Sequence, residues 1–519
     1  MTKPPLAPKF YGSMISSEVG GQEIAHTHSD TLLKTPHPTE SLLPSHTTPS
    51  SSLLSSRGIS LNLVLLLGSA NVVPWLAYIS VSDYWNAAFP NKQTSFIFPV
   101  LNMALLAIGT VITTLGGRNI GSLRLRIQGT NLLVTFLLLC VPLLIMPNAN
   151  AGWALPAVYL NLSCLSLLVA VNQSSCYGLA GIMGPDFIQA LERGKGWTGV
   201  AVVILRAFIK YADGGKGGEN SKEERGIEGG IKTNGTGTFF LTASLIVCLA
   251  TVGYGALVSE AFARVKVDEY EGNLKVHEAT PRNTPNTTPT MGKLRRGKRE
   301  RAAHAPTVDL LTRKVKNKIL LRIQVPLVTV FLVFTMCISC FPGVATTLRS
   351  DTWGLGTWFP LAMVAAYNVA DLIGKTLPSY TKAWKGRNVW VTAVPLLLTA
   401  VLMVMEMLED YSLLSPDIPL LRSDLLKVLS SFLLGLFTGY SSTSCMMSAP
   451  SMVDRRYRDV ATQCMATSLI FGLLTGSLGG VAIKEAVGLG GVHGGEAPPY
   501  PIIHWDHVGS GSPTGLLID

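Results

Sequence analysis

The chain has 519 residues, 48% of them hydrophobic but only 14% charged, against roughly a quarter in an ordinary soluble domain. That deficit points to lipid and excludes a count of soluble domains from length, because apolar runs of about 17 to 25 residues, enough to cross a bilayer, recur along the sequence. The net charge of +10 does not imply a nucleic-acid partner: much of it lies in "MGKLRRGKRERAAH", flanked by "LTRKVKNK", and a basic loop between membrane helices is what the positive-inside rule requires.

In chain order, residues 1 to about 58 are rich in Ser, Thr and Pro ("SLLPSHTTPSSSLLSS") and read as a disordered cytoplasmic tail. The tail lacks the basic start and apolar core of a signal peptide, and "ESLLP" carries a Leu-Leu pair of the kind used in sorting. Eleven candidate spans follow, at 60–82, 97–116, 127–147, 154–183, 188–212, 238–263, 319–347, 355–379, 388–408, 424–451 and 460–487. With the N-terminus inside, "GGRNIGSLRLRIQG", "ALERGKGW", the segment 264–318, "TKAWKGRN" and "VDRRYRD" face the cytoplasm, and each has more Lys and Arg than Asp and Glu. The opposite connections differ: "MPNANAG" is uncharged, "MEMLEDYSLLSPDIP" is acidic, and "ADGGKGGENSKEERGIEGGIKTNGTG" is mixed, with a glycosylation acceptor pattern at Asn234. The expected fold is an all-α polytopic membrane protein of eleven helices: a six-helix bundle over 59–263, a basic cytoplasmic loop over 264–318, a five-helix bundle over 319–487 and a flexible extracytoplasmic tail over 488–519.

The eight cysteines all fall inside candidate spans, where they are small packing residues; "CISC" at Cys337 to Cys340 is a lone CxxC in an apolar helix. The nine histidines lie only in tails and polar loops, which argues against an intramembrane histidine metal site or proton relay. No phosphate-binding glycine loop, catalytic triad or zinc signature occurs in an ordered soluble segment. Neither a metal, a cofactor nor an enzymatic activity is expected.

The polar residues inside the apolar runs carry the functional argument. "YNVADLIGKTLPSY" places Asp371 and Lys375 four residues apart, on one helix face, with Asn368 one turn earlier on the same side. Asp371 is expected near the middle of its span, where an unpaired carboxylate costs at least a few kcal/mol, so it must face the bundle interior or a water-filled cavity. There it is either half of an ion pair that locks two helices, or a ligand site in which the carboxylate accepts hydrogen bonds and the ammonium donates them. "SANVVPWLAYIS" sets Trp75 after the helix-kinking Pro74. Trp75 lies too deep for an interfacial anchor, which leaves a stacking surface or a packing role. Gln173, in "VNQSSCYGLAGIMGPDF", is interhelical glue or a partner for a polar ligand. "GLFTG" and "FGLLTGSLGG" have the small-xxx-small spacing of close helix packing. Arg206 and Lys210, four apart near the outer end of the fifth span, snorkel or take part in gating.

At these residues the chain resembles the equilibrative nucleoside transporters: in "GSANVVPWLAYIS", "NQSSCYGLAGIMGPDFIQALERGKGWTGV", "FPGV", "YNVADLIGK" and "GLFTGYSSTSCMMSAPSMV", in order over about 60 to 487. The resemblance implies a major-facilitator-like fold lacking one helix, which moves nucleosides by alternating access without ATP. It implies that Asp371 binds the ribose hydroxyls, that Gln173 hydrogen-bonds the base, that Trp75 and Phe341 line the cavity, and that Asn368 lies beside the substrate or the gate. Two positions depart from the family pattern. Lys375 stands where Arg is usual, replacing a planar two-pronged donor with a point charge, and Leu76 stands where Pro-Trp-Asn has its amide.

The leading expectation is a facilitative or proton-coupled nucleoside carrier, with Asp371 as the candidate proton-binding group. A nucleobase or organic-cation carrier of the same fold is the nearest alternative. A membrane scaffold or receptor that uses the basic loop to bind lipids or partners is the alternative from another class. The expected partners are a nucleoside and the lipid bilayer; the expected membrane is the plasma membrane, with a vacuolar or other internal membrane as the alternative.

Overall fold

The computed structural model describes residues 51–89, 94–116, 121–214, 235–268, 313–381, 386–411, 413–414 and 418–486. The basic stretch around 291–304, the glycosylation pattern at Asn234 and the C-terminal tail lie outside the described residues. Among those described, all regular structure is helical. The long helices are α1 (Ser51–Ser80), α2 (Thr94–Gly116), α3 (Thr130–Cys140), α4 (Ala154–Met183), α5 (Pro185–Gly214) and α6 (Thr236–Ser259). They continue with α7 (Arg313–Cys340), α8 (Phe359–Thr376), α9 (Ala393–Asp410), α10 (Asp424–Ser448) and α11 (Arg458–Ala486). α3 is lengthened by π-helical turns at Leu125–Gly129 and Val141–Ile145, the second of which holds Pro142; a π-turn absorbs the backbone group that proline cannot pair.

Nine of these helices are long and apolar enough to cross a membrane. The two that fall short are α5, which carries Glu192, Arg193, Lys195, Arg206 and Lys210, and α8, which carries Asn368, Asp371 and Lys375. The helices poorest in apolar character are therefore the ones that hold the polar residues singled out above. Of these, Glu192, Asp371 and Lys375 are buried among neighbouring helices.

Two expected boundaries are corrected. α1 begins at Ser51, so the last residues assigned to the disordered tail are helical: Ser56 Oγ donates to Glu260 Oε2 at 2.8 Å, and Arg57 pairs with Asp186, tying the start of α1 to the ends of other helices. "ALERGKGW" is not a cytoplasmic connection. It lies inside α5, with Ala190, Leu191 and Glu192 buried; the break before it is at Gly184, whose φ of +130° suits glycine.

Helix packing follows small residues. α1 packs on α5 and α6, and α2 on α4; α8 packs on α10, α7 on α11, and α9 on α7 and α10. α5 meets α8 and α10, and α11 meets α2 and α4, which joins the first six long helices to the last five. Between α8 and α10, a Cβ on Gly374 would fall 2.2 Å from the Leu436 carbonyl oxygen, and one on Gly439 would fall 2.3 Å from that of Asp371. The "GLFTG" spacing is a packing seam, as its small residues led us to expect. Lipid supplies no hydrophobic drive for one helix to meet another, so such close van der Waals contact holds the bundle together.

Candidate functional site

Asp371 and Lys375 meet as their spacing requires. Lys375 Nζ donates to Asp371 Oδ2 at 2.6 Å, in residues only 8% and 6% exposed. Asp371 is five residues from the last residue of α8, which 3₁₀ turns at Gly356–Trp358 and Leu377–Ser379 extend to nearly the span expected. Asn368 donates to the Val364 carbonyl at 2.8 Å, and its Oδ1 occupies the space a Cβ on Gly199 of α5 would need. The polar stripe thus faces α5 and not the outside of the bundle.

α5 answers with polar groups that sequence reading passed over. Gln189, fully buried, donates through Nε2 to the carbonyls of Lys375 at 3.0 Å and Thr376 at 2.9 Å, and its Oε1 accepts from Ser379 and Arg193. One side chain therefore satisfies orphan carbonyls at the end of α8. One turn on, Glu192 is 1% exposed and accepts from Tyr177 of α4, while Lys195 Nζ contacts the Tyr177 hydroxyl and lies 3.4 Å from Glu192 Oε1. The charges of Glu192 and Lys195 act on those of Asp371 and Lys375. Two pairs of opposite charge, with Glu192, Asp371 and Lys375 buried and Lys195 part-exposed, thus lie at one contact between α4, α5 and α8. The signal for the second pair was present in the i,i+3 spacing of "ERGK", but the reading of that stretch as a loop hid it.

Phe341, just past α7, stacks on Tyr367 of α8 with ring centroids 3.8 Å apart, and Cys337 Sγ lies 3.0 Å from the Tyr367 hydroxyl. Tyr367 precedes Asp371 by four residues, so Phe341 joins the polar stripe through it. The thiols of "CISC" pack: Cys337 against Tyr367, and Cys340 against the Ala400 carbonyl.

The other expected residues lie apart. Trp75 is half-buried on α1 and lines a cavity of about 20 Å³ with Tyr78, Trp85 and Phe98, room for one water. A separate cavity of about 110 Å³ between α1, α5 and α6 is apolar except for Thr198 and Thr242. Gln173 is buried on α4 with no hydrogen bond from its side chain among the described residues. Lys210 Nζ sits 4.4 Å over the ring of Trp358, just before α8, and Arg206 lies one turn earlier on α5. α5 therefore touches the α8 region near both of its ends.

Residues 160–485 match the family described as nucleoside transporter. The chain is 24% identical over 421 residues to equilibrative nucleotide transporter 1 of Arabidopsis thaliana, covering 79% of this chain and 83% of the relative. It is 23% identical over 460 residues to human equilibrative nucleoside transporter 4, covering 80% of each. Among solved structures it is similar to the proton:xylose symporter XylE, at 12% identity and a TM-score of 0.49, covering 86% of this chain and 90% of that one. It is also similar to the nucleoside transporter NupG, at 10% identity and a TM-score of 0.45, covering 82% and 91%. With more than half of its length matched, this integral membrane protein belongs to the equilibrative nucleoside transporter family.

Proposed function

We propose that the chain carries nucleosides across a membrane by alternating access, with the polar contact between α5 and α8 at the centre of the moving parts. The observation that carries this reading is the Asp371–Lys375 pair, buried at the contact that joins the first six helices to the last five. In this reading the six-helix and five-helix groups are the two halves that rock around the substrate. Asp371 accepts hydrogen bonds from the ribose hydroxyls, Lys375 holds the carboxylate in place, and Asn368 lies beside them. Gln173, buried with its amide uncommitted among the described residues, bonds the base; Trp75 and Phe341 supply aromatic walls. Lys210 over Trp358, with Arg206 behind it, closes the opposite end. In this reading the membrane is the plasma membrane, with a vacuolar or other internal membrane as the alternative.

The test is uptake of labelled adenosine and uridine, beside adenine, uracil and a monoamine, into proteoliposomes holding the wild type or Asp371→Asn, with and without an inward proton gradient. Nucleoside uptake by the wild type that is lost in Asp371→Asn supports the reading, and the gradient decides whether protons take part. Uptake of adenine and uracil that ignores ribose assigns a nucleobase carrier instead. No uptake of any of them, in vesicles where a known carrier works, refutes it.

A further inference from the structure

A second buried polar cluster lies where α9 ends and α10 begins, away from Asp371. Lys427 Nζ is 2.7 Å from Asp410 Oδ1 with both side chains fully buried, and it also donates to the Arg349 carbonyl at 2.8 Å. Asp410 Oδ2 accepts the Arg349 N–H at 3.0 Å. Asp424 is committed to the turn that follows: it accepts Ser350 Oγ at 2.6 Å and the backbone N–H groups of Asp351 at 2.9 Å and Trp353 at 2.8 Å. Glu409 pairs with Arg422 at 3.1 Å. Asp351, 45% exposed, lies 3.4 Å from Lys427. α7, the remaining long helix against α9, brings up the thiol of Cys340 to the Ala400 carbonyl and carries Cys337 toward α8.

Each of these carboxylates has a cation or several N–H and O–H donors. Glu406 does not. It is fully buried one turn before Asp410 on the same face of α9, and its Oε1 has no hydrogen-bond partner among the described residues. Its Oε2 lies 2.7 Å from Ser430 Oγ, and that hydroxyl lies 2.8 Å from the Lys427 carbonyl oxygen. A serine hydroxyl has one hydrogen to give, and a carbonyl can only accept. If the hydroxyl hydrogen goes to the carbonyl, the contact with Glu406 needs a second hydrogen, carried by the carboxyl. Charge leads to the same result: the nearest ammonium is already held by Asp410, and an uncompensated buried carboxylate is costly.

We propose that Glu406 is a proton-binding carboxyl that donates from Oε2 to Ser430 Oγ, and that transport responds to pH through it. Loss of the proton to water at this end of the bundle, past the half-exposed Asp351, leaves an anion that competes with Asp410 for Lys427. The link to transport rests on the nucleoside-carrier reading; the proton site itself does not.

The experiment uses the full chain in proteoliposomes, with two readouts. Infrared difference spectra between neutral and alkaline pH report a protonated carboxyl directly, whether or not anything is transported. Uridine uptake across the same pH range reports the coupling. Glu406→Gln keeps the shape and a hydrogen to donate to Ser430, so it is expected to fold. The carboxyl band present in the wild type is lost in Glu406→Gln and shifts in frequency in Ser430→Ala, where the acceptor is gone. Wild-type uptake changes as the pH is raised, whereas Glu406→Gln holds its acid-side rate throughout, and replacing sodium by choline changes neither. A wild-type spectrum with no band removed by Glu406→Gln overturns the proton site. Wild-type uptake whose pH profile survives in Glu406→Gln, or which needs sodium in place of protons, overturns the coupling. A Glu406-dependent band in vesicles that move no uridine refutes the carrier reading and leaves the proton site standing.

Discussion

The Asp371–Lys375 pair has two candidate roles that one set of variants separates. Replacing Asp371 with Asn leaves a buried ammonium without its partner at 2.6 Å. Breaking such a pair from one side costs about 3–5 kcal/mol. Glu192 also acts on Lys375, so part of the lost attraction remains and the loss should lie near the lower end, about 3 kcal/mol, or roughly a hundredfold in the folding equilibrium. Asp371→Asn/Lys375→Gln removes both charges together and should recover to within about 1 kcal/mol of the wild type, because neutral replacement of a buried pair is close to neutral in stability. Unfolding in detergent gives the stability, and uptake per folded protein in proteoliposomes gives the function. If Asp371 touches substrate, the double variant is stable and still inactive. A double variant that regains both stability and wild-type uptake would refute the reasoning, because the pair would then be a clamp and nothing more.

Gln189→Ala removes the donor to two carbonyls at the end of α8, each bond worth about 1 kcal/mol. Hydrogen exchange over residues 372–381 should speed up, and unchanged exchange would show that α5 does not hold that end. Lys210→Gln removes a cation held 4.4 Å over Trp358, an interaction worth about 0.5–1 kcal/mol at exposed sites. Uptake should change by up to about fivefold, and Lys210→Gln/Trp358→Leu should do no more than the larger single change if the two act as a unit.

The sequence made the architecture legible wherever composition alone decides it. Apolar runs marked most of the spans, and small residues at every fourth position marked the seams at Gly435 and Gly439 and at Gly472 and Gly476. The spacing of Asp371 and Lys375 placed them on one face, and the structure pairs them. What stayed hidden depends on the partner helix. "ALERGKGW" has the charge of a loop, and only its packing against α4 and α8 shows Glu192 to be inside with Lys195 beside it. Glu406 was similarly lost within "MEMLEDYSLLSPDIP", read as an acidic connection, because its isolation follows from which of its neighbours Lys427 chooses. Trp75 and Gln173 were singled out as site residues, yet no contact among the described residues joins them to Asp371.

The glycine contacts divide the helices in a way that bears on how the molecule moves. Inside each half the tightest of them bring backbone onto backbone: a Cβ on Gly68 or Gly194 would fall 2.0 or 1.9 Å from a carbonyl oxygen between α1 and α5, and one on Gly435 would fall 2.3 Å from that of Tyr367 between α10 and α8, although looser ones such as Gly109 and Gly253 meet side chains. Across the halves the nearest atoms at three of four glycines are side-chain ends: Gln463 Nε2 at Gly178, Thr462 Oγ1 at Gly181 and Asn368 Oδ1 at Gly199. Backbone contacts cannot yield without separating two helices, whereas a side-chain end can turn to a new rotamer. Under the alternating-access proposal, the tightest within-half seams should stay closed while the cross-half contacts at Gly178, Gly181 and Gly199 are remade. Gly435→Ala should therefore cost about 1–3 kcal/mol or more as an overpacked seam and lower the yield of folded protein. Gly178→Ala and Gly199→Ala, which push only on Gln463 and Asn368, should fold near wild-type yield and alter the rate of uptake instead. Equal losses of folded protein in all three variants would show that both kinds of contact are equally rigid, and the division into fixed and moving seams would fail.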